Sequence, residues 1–369
     1  MGMGQMATTL ILIAVVISGL LALHAALNSF WLIKPVPVSI SETVCILIPA
    51  RNEELNISEC VTSALNQEML ANFEVVVLDD DSSDATLQMV SGIQDPRLTV
   101  MSGAAELPAG WLGKNWACHR LAETKSADYL VFLDCDVILE ATAVASAISA
   151  MQKYELDLVS PYPRQIATTS LARLVQPLLQ WSWLTTVPLF FARKTSRSSL
   201  AVANGQFLVC KNTSYQSAGG HASVKAQVFD DIELLRSFYR AGFTGSVIDG
   251  SKIATCHMYR TDQDLISGYA KSLWKAFGGI FGTIFVNVFF IFVYVFPLTG
   301  LFTGQASLAV TAFGFGLISR LISARVSSGR VLPEGLWHPI SILAFTWLNC
   351  VSWWRHLRGT NTWKSRDLK

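Results

Sequence analysis

The residues best suited to chemistry stand in short acidic tracts: Asp79-Asp80-Asp81-Ser82-Ser83-Asp84, Asp134-Cys135-Asp136 and Asp230-Asp231. Crowded carboxylates repel one another unless a cation joins them. Asp-x-Asp on an extended segment aims both side chains the same way, which suits Mg²⁺ or Mn²⁺ shared with a diphosphate. The first tract also reads as an Asp/Ser helix cap, the second as an acidic turn, and the third as partners of a helix N-terminus. A further tract, Pro49-Ala50-Arg51-Asn52-Glu53-Glu54, sets an Arg beside two acids. Lys114 lies in Leu107-Pro108-Ala109-Gly110-Trp111-Leu112-Gly113-Lys114-Asn115-Trp116-Ala117. Its glycines permit close approach of a phosphate, whose charge the ammonium would offset. The same tract also reads as a Gly/Pro surface loop.

These residues need a frame. Apolar, β-branched runs at 44–49, 74–79, 98–101, 129–134 and 156–160 predict strands. Segments 54–66, 85–92 and 141–154 predict the helices between them. Strand–helix alternation with fully apolar strands predicts an α/β domain built on a parallel sheet. In such sheets ligands bind outside the carboxyl ends of the strands. The Arg–Glu tract and two of the acidic tracts directly follow the first, second and fourth runs.

The rest of the chain is apolar. Hydrophobic residues make up 51% of the 369 and charged residues 15%. Residues 6–33 carry no charge, and neither do residues 276–319, which are long enough for two membrane spans of about 20 residues each. A last apolar run at 336–354 holds Trp337, Trp347, Trp353 and Trp354, as at a membrane interface. The predicted organisation is an N-terminal transmembrane anchor (1–35), an α/β domain (42–262), about three C-terminal transmembrane segments (276–356) and a basic tail (357–369). Residues 170–192, apolar but containing Arg173, Gln176, Gln180 and two prolines, predict a helix on the membrane surface or a buried core helix. A net charge of +1 gives no reason to expect nucleic acid as a partner. Seven scattered cysteines, without C-x-x-C spacing, suit reduced thiols in the cytosol.

Taken in series, Ile-Pro-Ala-Arg-Asn-Glu-Glu, Leu-Asp-Asp-Asp-Ser-Ser-Asp-Ala-Thr and Asp-Cys-Asp resemble the P-x-x-N-E, V-D-D-x-S-x-D-x-T and D-x-D motifs of family 2 glycosyltransferases. The 107–117 tract resembles one found in membrane transferases acting on carotenoids and hopanoids. The resemblance implies a GT-A, Rossmann-like, nucleotide-sugar-binding domain set between one N-terminal and about three C-terminal transmembrane helices. It implies that Pro49, Arg51, Glu53 and Asp80 bind the nucleoside, that Lys114 and Asp134 meet the donor, and that Asp136 with Asp134 holds a divalent metal, Mg or Mn. Asp231, beside Asp230, aligns with the catalytic base. Gly205, Gln206 and Lys271 fall on the acceptor side. Lys271 could meet the diphosphate, and equally Lys271 and Lys275 read as contacts to anionic lipid headgroups. Asp81 departs from the family, which usually has Gly there. His221 and His257 are candidates for a second base and a third metal ligand, although each also reads as structural.

The expected activity is inverting transfer of a hexose from a UDP-sugar, with UDP-glucose leading, to a membrane lipid hydroxyl, a carotenoid or another isoprenoid. The expected location is the inner or plasma membrane, with the catalytic domain in the cytosol. The alternatives are a polyprenyl-phosphate or diacylglycerol sugar transferase, and a non-catalytic membrane binding protein with a transferase-like domain. No Gly-rich phosphate loop follows the first strand, which argues against nucleotidyl transfer.

Overall fold

A computed structural model describes residues 3–103, 106–124, 126–360, 362–363 and 366–367. Of the expected basic tail, residues 361, 364, 365, 368 and 369, Lys364 and Lys369 among them, lie outside these. In chain order the elements begin with α1 (Met3–Trp31), β1 (Ile40–Ala50), α2 (Ile57–Leu65), β2 (Leu70–Asp79), α3 (Thr86–Ser91), β3 (Leu98–Ser102) and α4 (Gly113–Ala122). There follow β4 (Tyr129–Leu133), β5 (Val137–Leu139), α5 (Ala143–Lys153), β6 (Leu158–Gln165), α6 (Ser170–Thr186) and α7 (Leu189–Ala192). The remainder comprises β7 (Phe207–Lys211), α8 (Asn212–Ser217), α9 (Asp230–Arg240), β8 (Gly245–Cys256), α10 (Asp262–Ala276), α11 (Ile280–Tyr294), α12 (Ala306–Val326) and α13 (His338–Leu357). They fall into two units. A helical unit holds Met1–Trp31, Ala167–Pro188 and Tyr259–Lys369, and a sheet unit holds Leu32–Ile166 and Leu189–Met258.

The sheet unit is built on eight strands in the order β3-β2-β1-β4-β7-β6-β8-β5. Strands β3, β2, β1 and β4 are parallel, as their uninterrupted apolar character predicts. Beyond β4 the expectation of a parallel sheet needs correcting. β7 runs antiparallel to both β4 and β6, β8 returns parallel to β6, and β5 closes the edge antiparallel to β8. Strand β1 is buried on both faces. Ile46 and Ile48 enter a core with Val61, Val144 and Ile148 of α2 and α5, while Cys45 and Leu47 pack into a second core with Leu121 and Phe238 of α4 and α9. The chain steps from β1 to β2 to β3 on one side, then crosses to place β4 on the other side of β1. This reversal opens a crevice at the carboxyl ends of β1 and β4.

In the helical unit, three helical segments among the described residues are long and apolar enough to cross a membrane: Gly4–Trp31, Ile280–Leu301 and Ala306–Val326. The C-terminal part thus supplies two such segments, and the last apolar run forms the 20-residue α13. Phe30, Phe281 and Phe285 stand out from these helices, 83%, 85% and 69% exposed, as side chains solvated by lipid would. Residues 170–192, read from sequence as a helix on the membrane surface or a buried core helix, mostly form α6, which belongs to this unit. Trp181 of α6 is buried against Phe290, Tyr294 and His338, and its indole N–H donates to Ser319 Oγ at 2.9 Å. Asn28 Nδ2 of α1 donates to the Leu184 and Val187 carbonyls at 2.7 and 2.8 Å. Within apolar surroundings such bonds fix which helix faces meet.

Candidate active site

The crevice side of the sheet unit begins at the end of β1. Asp80 N–H donates to the Ala50 carbonyl at 2.7 Å, and the Arg51 guanidinium donates to the Asp80 carbonyl, with its Nη1 3.9 Å from Asp80 Oδ2. Arg51 and the buried Asp80 thus form one unit. The next two loops interlock. Asn52 N–H donates to Ser82 Oγ at 2.9 Å, Ser83 N–H to Asn52 Oδ1 at 2.8 Å, and Glu53 N–H to Thr86 Oγ1 at 2.7 Å. Asn56 Nδ2 holds the Glu53 carboxylate at 2.9 Å. Asp84 accepts from Thr86 and from Glu54 N–H, and although burial opposes it these bonds hold its carboxyl below the usual range. Within the tract from Asp79 to Asp84, Asp84 thus holds the first residue of α3, Thr86, and ties it to the loop after β1. Asp81 has φ +59°, the left-handed region that Gly adopts freely and Asp tolerates. The backbone explains why Gly is usual at this position and why Asp can replace it.

Asp134 and Asp136 sit on the turn between β4 and β5. Cys135 Sγ bonds the Pro49 carbonyl at 3.4 Å and His257 N–H donates to the Asp136 carbonyl at 2.9 Å, so the turn is fixed to β1 and β8. Lys114, at the start of α4, places Nζ 2.7 and 2.8 Å from the two oxygens of Asp134. Burial opposes its charge, but Asp134 and Asp230 outweigh burial and hold the ammonium well above its usual range. Burial, then the charges of Asp134 and Glu53, push Asp136 up to about 7. Asp136 Oδ1 is buried with no hydrogen-bond partner. An orphaned carboxylate oxygen beside a second carboxylate fits a divalent cation. Among the described residues no three His, Cys, Asp or Glu side chains converge into a complete cage, so His257 does not complete one. Asp134 with Asp136 would therefore hold a cation only together with ligands from outside these side chains.

Asp231 lies in the first turn of α9. Gly205 N–H donates to its Oδ2 at 2.8 Å and Ile232 N–H to its Oδ1 at 2.7 Å. Burial, then the neighbouring Asp230, push this carboxyl up to about 7 against those two bonds and against Lys114. A Cβ on Gly205 would stand 3.3 Å from Asp231 Cβ and 3.5 Å from Lys114 Nζ. Gly205 is thus the point where Lys114 and Asp231 come closest to a shared wall. The adjacent Gln206 carries Asp134: its carbonyl accepts from Asp134 N–H at 2.9 Å. Its side-chain oxygen accepts from Gln165 Nε2 at 2.7 Å and from Asn204 Nδ2 at 3.2 Å.

Of the residues singled out from sequence, Arg51 and Asp80 meet directly, as do Lys114 and Asp134, and Gly205 and Asp231. Pro49, Glu53, Asp136 and Gln206 join them through the bonds and charges above, and Asp230 acts electrostatically on Lys114 and Asp231. Lys271 lies on α10, in the helical unit. His221 is a buried core residue. Its Nδ1 meets Tyr215 Oη at 2.8 Å, its ring packs on Phe132, and burial with Lys114 nearby lowers it to about 3. Sequence reasoning missed Asn115, which is 1% exposed. Its Nδ2 donates to the Val224, Lys225 and Gln227 carbonyls at 2.8, 3.3 and 3.0 Å, pinning the loop that leads into α9. Its only signal was its place next to Lys114.

That loop yields a stability prediction. Gly220 has φ +48°, and a Cβ there would lie 2.5 Å from the buried Tyr215 ring. Gly220→Ala combines overpacking with left-handed strain, about 2–4 kcal/mol together. The expected thermal midpoint falls by about 5–10 °C. A scan of the purified variant that matched wild type would mean the Tyr215–His221 pair is not rigid.

A mixed sheet with acidic tracts at successive strand ends defines the GT-A, Rossmann-like class of α/β fold. The solved structure of the mannosyltransferase PcManGT from Pyrobaculum calidifontis, in complex with GDP-Man and Mn²⁺, shares this fold at a TM-score of 0.51 and 17% identity, over 97% of this chain and 100% of that one. Residues 45–204 match the family model for glycosyl transferase family 2, in agreement with the resemblance drawn from the motifs. Two curated relatives are 4,4'-diaponeurosporenoate glycosyltransferases. The one from Staphylococcus haemolyticus is 26% identical over 63% of this chain and 61% of its own length. The one from Staphylococcus aureus is 25% identical over 64% of this chain and 62% of its own. The match thus spans about three-fifths of these relatives.

Proposed function

We propose that this protein is an inverting, metal-dependent glycosyltransferase that moves a hexose from a UDP-sugar, UDP-glucose foremost, to the hydroxyl of a membrane lipid such as a carotenoid or another isoprenoid. The observation that carries this reading is the junction at Gly205, where an ammonium fit for a diphosphate and a carboxylate fit to act as base share one wall. Arg51 and Asp80, locked together, would present a fixed donor–acceptor edge to the nucleoside, with Pro49 and Glu53 shaping its pocket. Asp136 with Asp134 would hold the cation, which supplies neutralising charge to the diphosphate. Asp231 would take the proton of the acceptor hydroxyl as that oxygen attacks the anomeric carbon. The new glycosidic bond forms as the carbon–oxygen bond to the diphosphate breaks, and the nucleoside diphosphate leaves with the electron pair. Attack opposite the leaving group inverts the anomeric centre. Asp230, through its charge, keeps Asp231 basic enough for the task.

The apolar helices support placement in the inner or plasma membrane, and cysteines that stand as thiols, six of them buried, support a cytosolic sheet unit. The names of the curated relatives favour a carotenoid-type lipid as acceptor. The test supplies membranes containing the protein with radiolabelled UDP-glucose and carotenoid or hopanoid. Label is expected in the organic extract, and chelation should abolish it. Transfer that survives exhaustive chelation would remove the cation from the proposal. No transfer from any of several nucleotide sugars would favour a non-catalytic binding protein.

A further inference from the structure

Between Asp157 and Asp230 the chain contains no acidic residue and seven Lys or Arg. Three of these, Arg193, Lys194 and Arg197, fall within five residues, directly after α7. The structure gathers two of them with aromatic rings on one patch of the sheet unit. Arg193 lies over Phe190 at 5.6 Å and over Tyr154 at 5.4 Å, and Lys194 lies over Phe190 at 4.2 Å. Lys153 at the end of α5 lies over Tyr154 at 5.6 Å from its own side. Phe190 and Phe191 meet edge to face at 5.4 Å, and Phe191 is 59% exposed. Glu155, next to Tyr154, is the one acidic side chain adjacent in sequence to this patch.

A soluble surface has no need of an exposed Phe191 set against a half-buried Phe190 and ringed by cations. At a bilayer surface the combination has a physical use: aromatic rings settle at the headgroup level while long basic side chains reach the phosphates. Each Lys or Arg near an anionic leaflet is worth roughly a factor of five in partition. We propose that the patch of Tyr154, Phe190, Phe191, Lys153, Arg193 and Lys194, extended by the exposed Arg197, docks the sheet unit on a bilayer surface bearing anionic headgroups. The proposal rests on the reading that the apolar helices span a membrane. The covalent path agrees, because α7 begins only three residues after α6, in the helical unit, ends at Thr186.

The test uses the full chain in nanodiscs of phosphatidylcholine alone and of phosphatidylcholine with phosphatidylglycerol, followed by amide hydrogen exchange. In the anionic discs, exchange of the peptide covering 189–200 is expected to slow by about tenfold relative to the zwitterionic discs. Raising salt to about 0.5 M should remove the difference, since headgroup attraction is screened. The triple variant R193Q/K194Q/R197Q should exchange alike in both lipids. Equal exchange of the wild type in both lipids would overturn the proposal, as would protection that salt and the triple variant leave intact, which would mark protein packing instead. A chain that never incorporates into discs would instead defeat the membrane reading itself, and that failure is seen before any exchange is measured. The lipid comparison needs no variant, so misfolding of the triple variant cannot decide the outcome.

Discussion

Asp231→Asn is expected to lower the rate of sugar transfer by 10²–10⁴-fold while leaving donor binding close to wild type. The amide keeps the size of the carboxylate but cannot take a proton from the acceptor hydroxyl. Its oxygen can keep one of the two bonds, from Gly205 N–H or Ile232 N–H, so the local structure should persist. The pH dependence provides a second check. Burial and Asp230 place the Asp231 carboxyl at about 7, so the ionised base accumulates as pH rises, and the rate should climb through that region toward a plateau. Asp136 is also pushed to about 7, so cation binding should strengthen over the same window; saturating Mn²⁺ isolates the part due to Asp231. The linkage to folding runs opposite to that of a salt-bridged acid. A carboxyl raised from its usual 3.8 to about 7 in the fold prefers its protonated form there. Its ionisation then costs nothing below about pH 4, and the cost grows until it is complete above about 7. The Asn variant should therefore gain thermal stability over wild type at pH 8 and little at pH 4. Full activity of the variant would assign the base elsewhere or point to a phosphate acceptor, which needs little help from one.

The part of the site legible in sequence is the part written at the ends of apolar parallel strands. β1, β2 and β4 carry short apolar runs, 44–48, 75–78 and 129–133, so both the strands and the tracts that follow them could be read. β7 and β8 were not read as strands. β7 is short and ends in Lys211, while β8 carries Asp249, Gly250, Ser251 and Lys252 in its middle, where its pairing with β6 shifts register. β7 lies antiparallel to both its neighbours and β8 pairs parallel with β6 but antiparallel with β5, and sequence alternation alone does not say which neighbour a strand will choose. Pairings were hidden for a related reason. Lys114 and Asp134 are twenty residues apart, and only the crossing of α4 over β1 brings them together. The helical unit hid a different feature. Gln176 and Gln180 left a membrane-surface helix and a buried core helix both open; they are 2% and 4% exposed, so the amides of α6 are turned inward. Polar residues on an apolar helix mark a distinct face without saying whether protein or solvent covers it.

Lys114→Ala is expected to separate two properties that a merely misfolded protein would lose together. In the structure the ammonium occupies both oxygens of Asp134, so lysine and cation compete for one carboxylate. Removing the lysine leaves Asp134 beside Asp136 and near Glu53 with no positive partner, and like charges at such range raise the affinity for a cation. Mn²⁺, titrated by its own paramagnetic signal, should bind about tenfold more tightly than to wild type. The donor should bind worse and react more slowly, because a charge-assisted contact to the diphosphate is lost, with kcat/KM falling about 10²-fold. Lys114→Arg should not restore it. A planar guanidinium presents its donors as a fixed fork, whereas the ammonium is a compact point charge that now meets both Asp134 oxygens from one atom. Weaker binding of both cation and donor would mean that Lys114 serves the fold. Tighter cation with weaker donor would mean that the lysine holds the carboxylates neutral until the diphosphate arrives with its own cation to replace it.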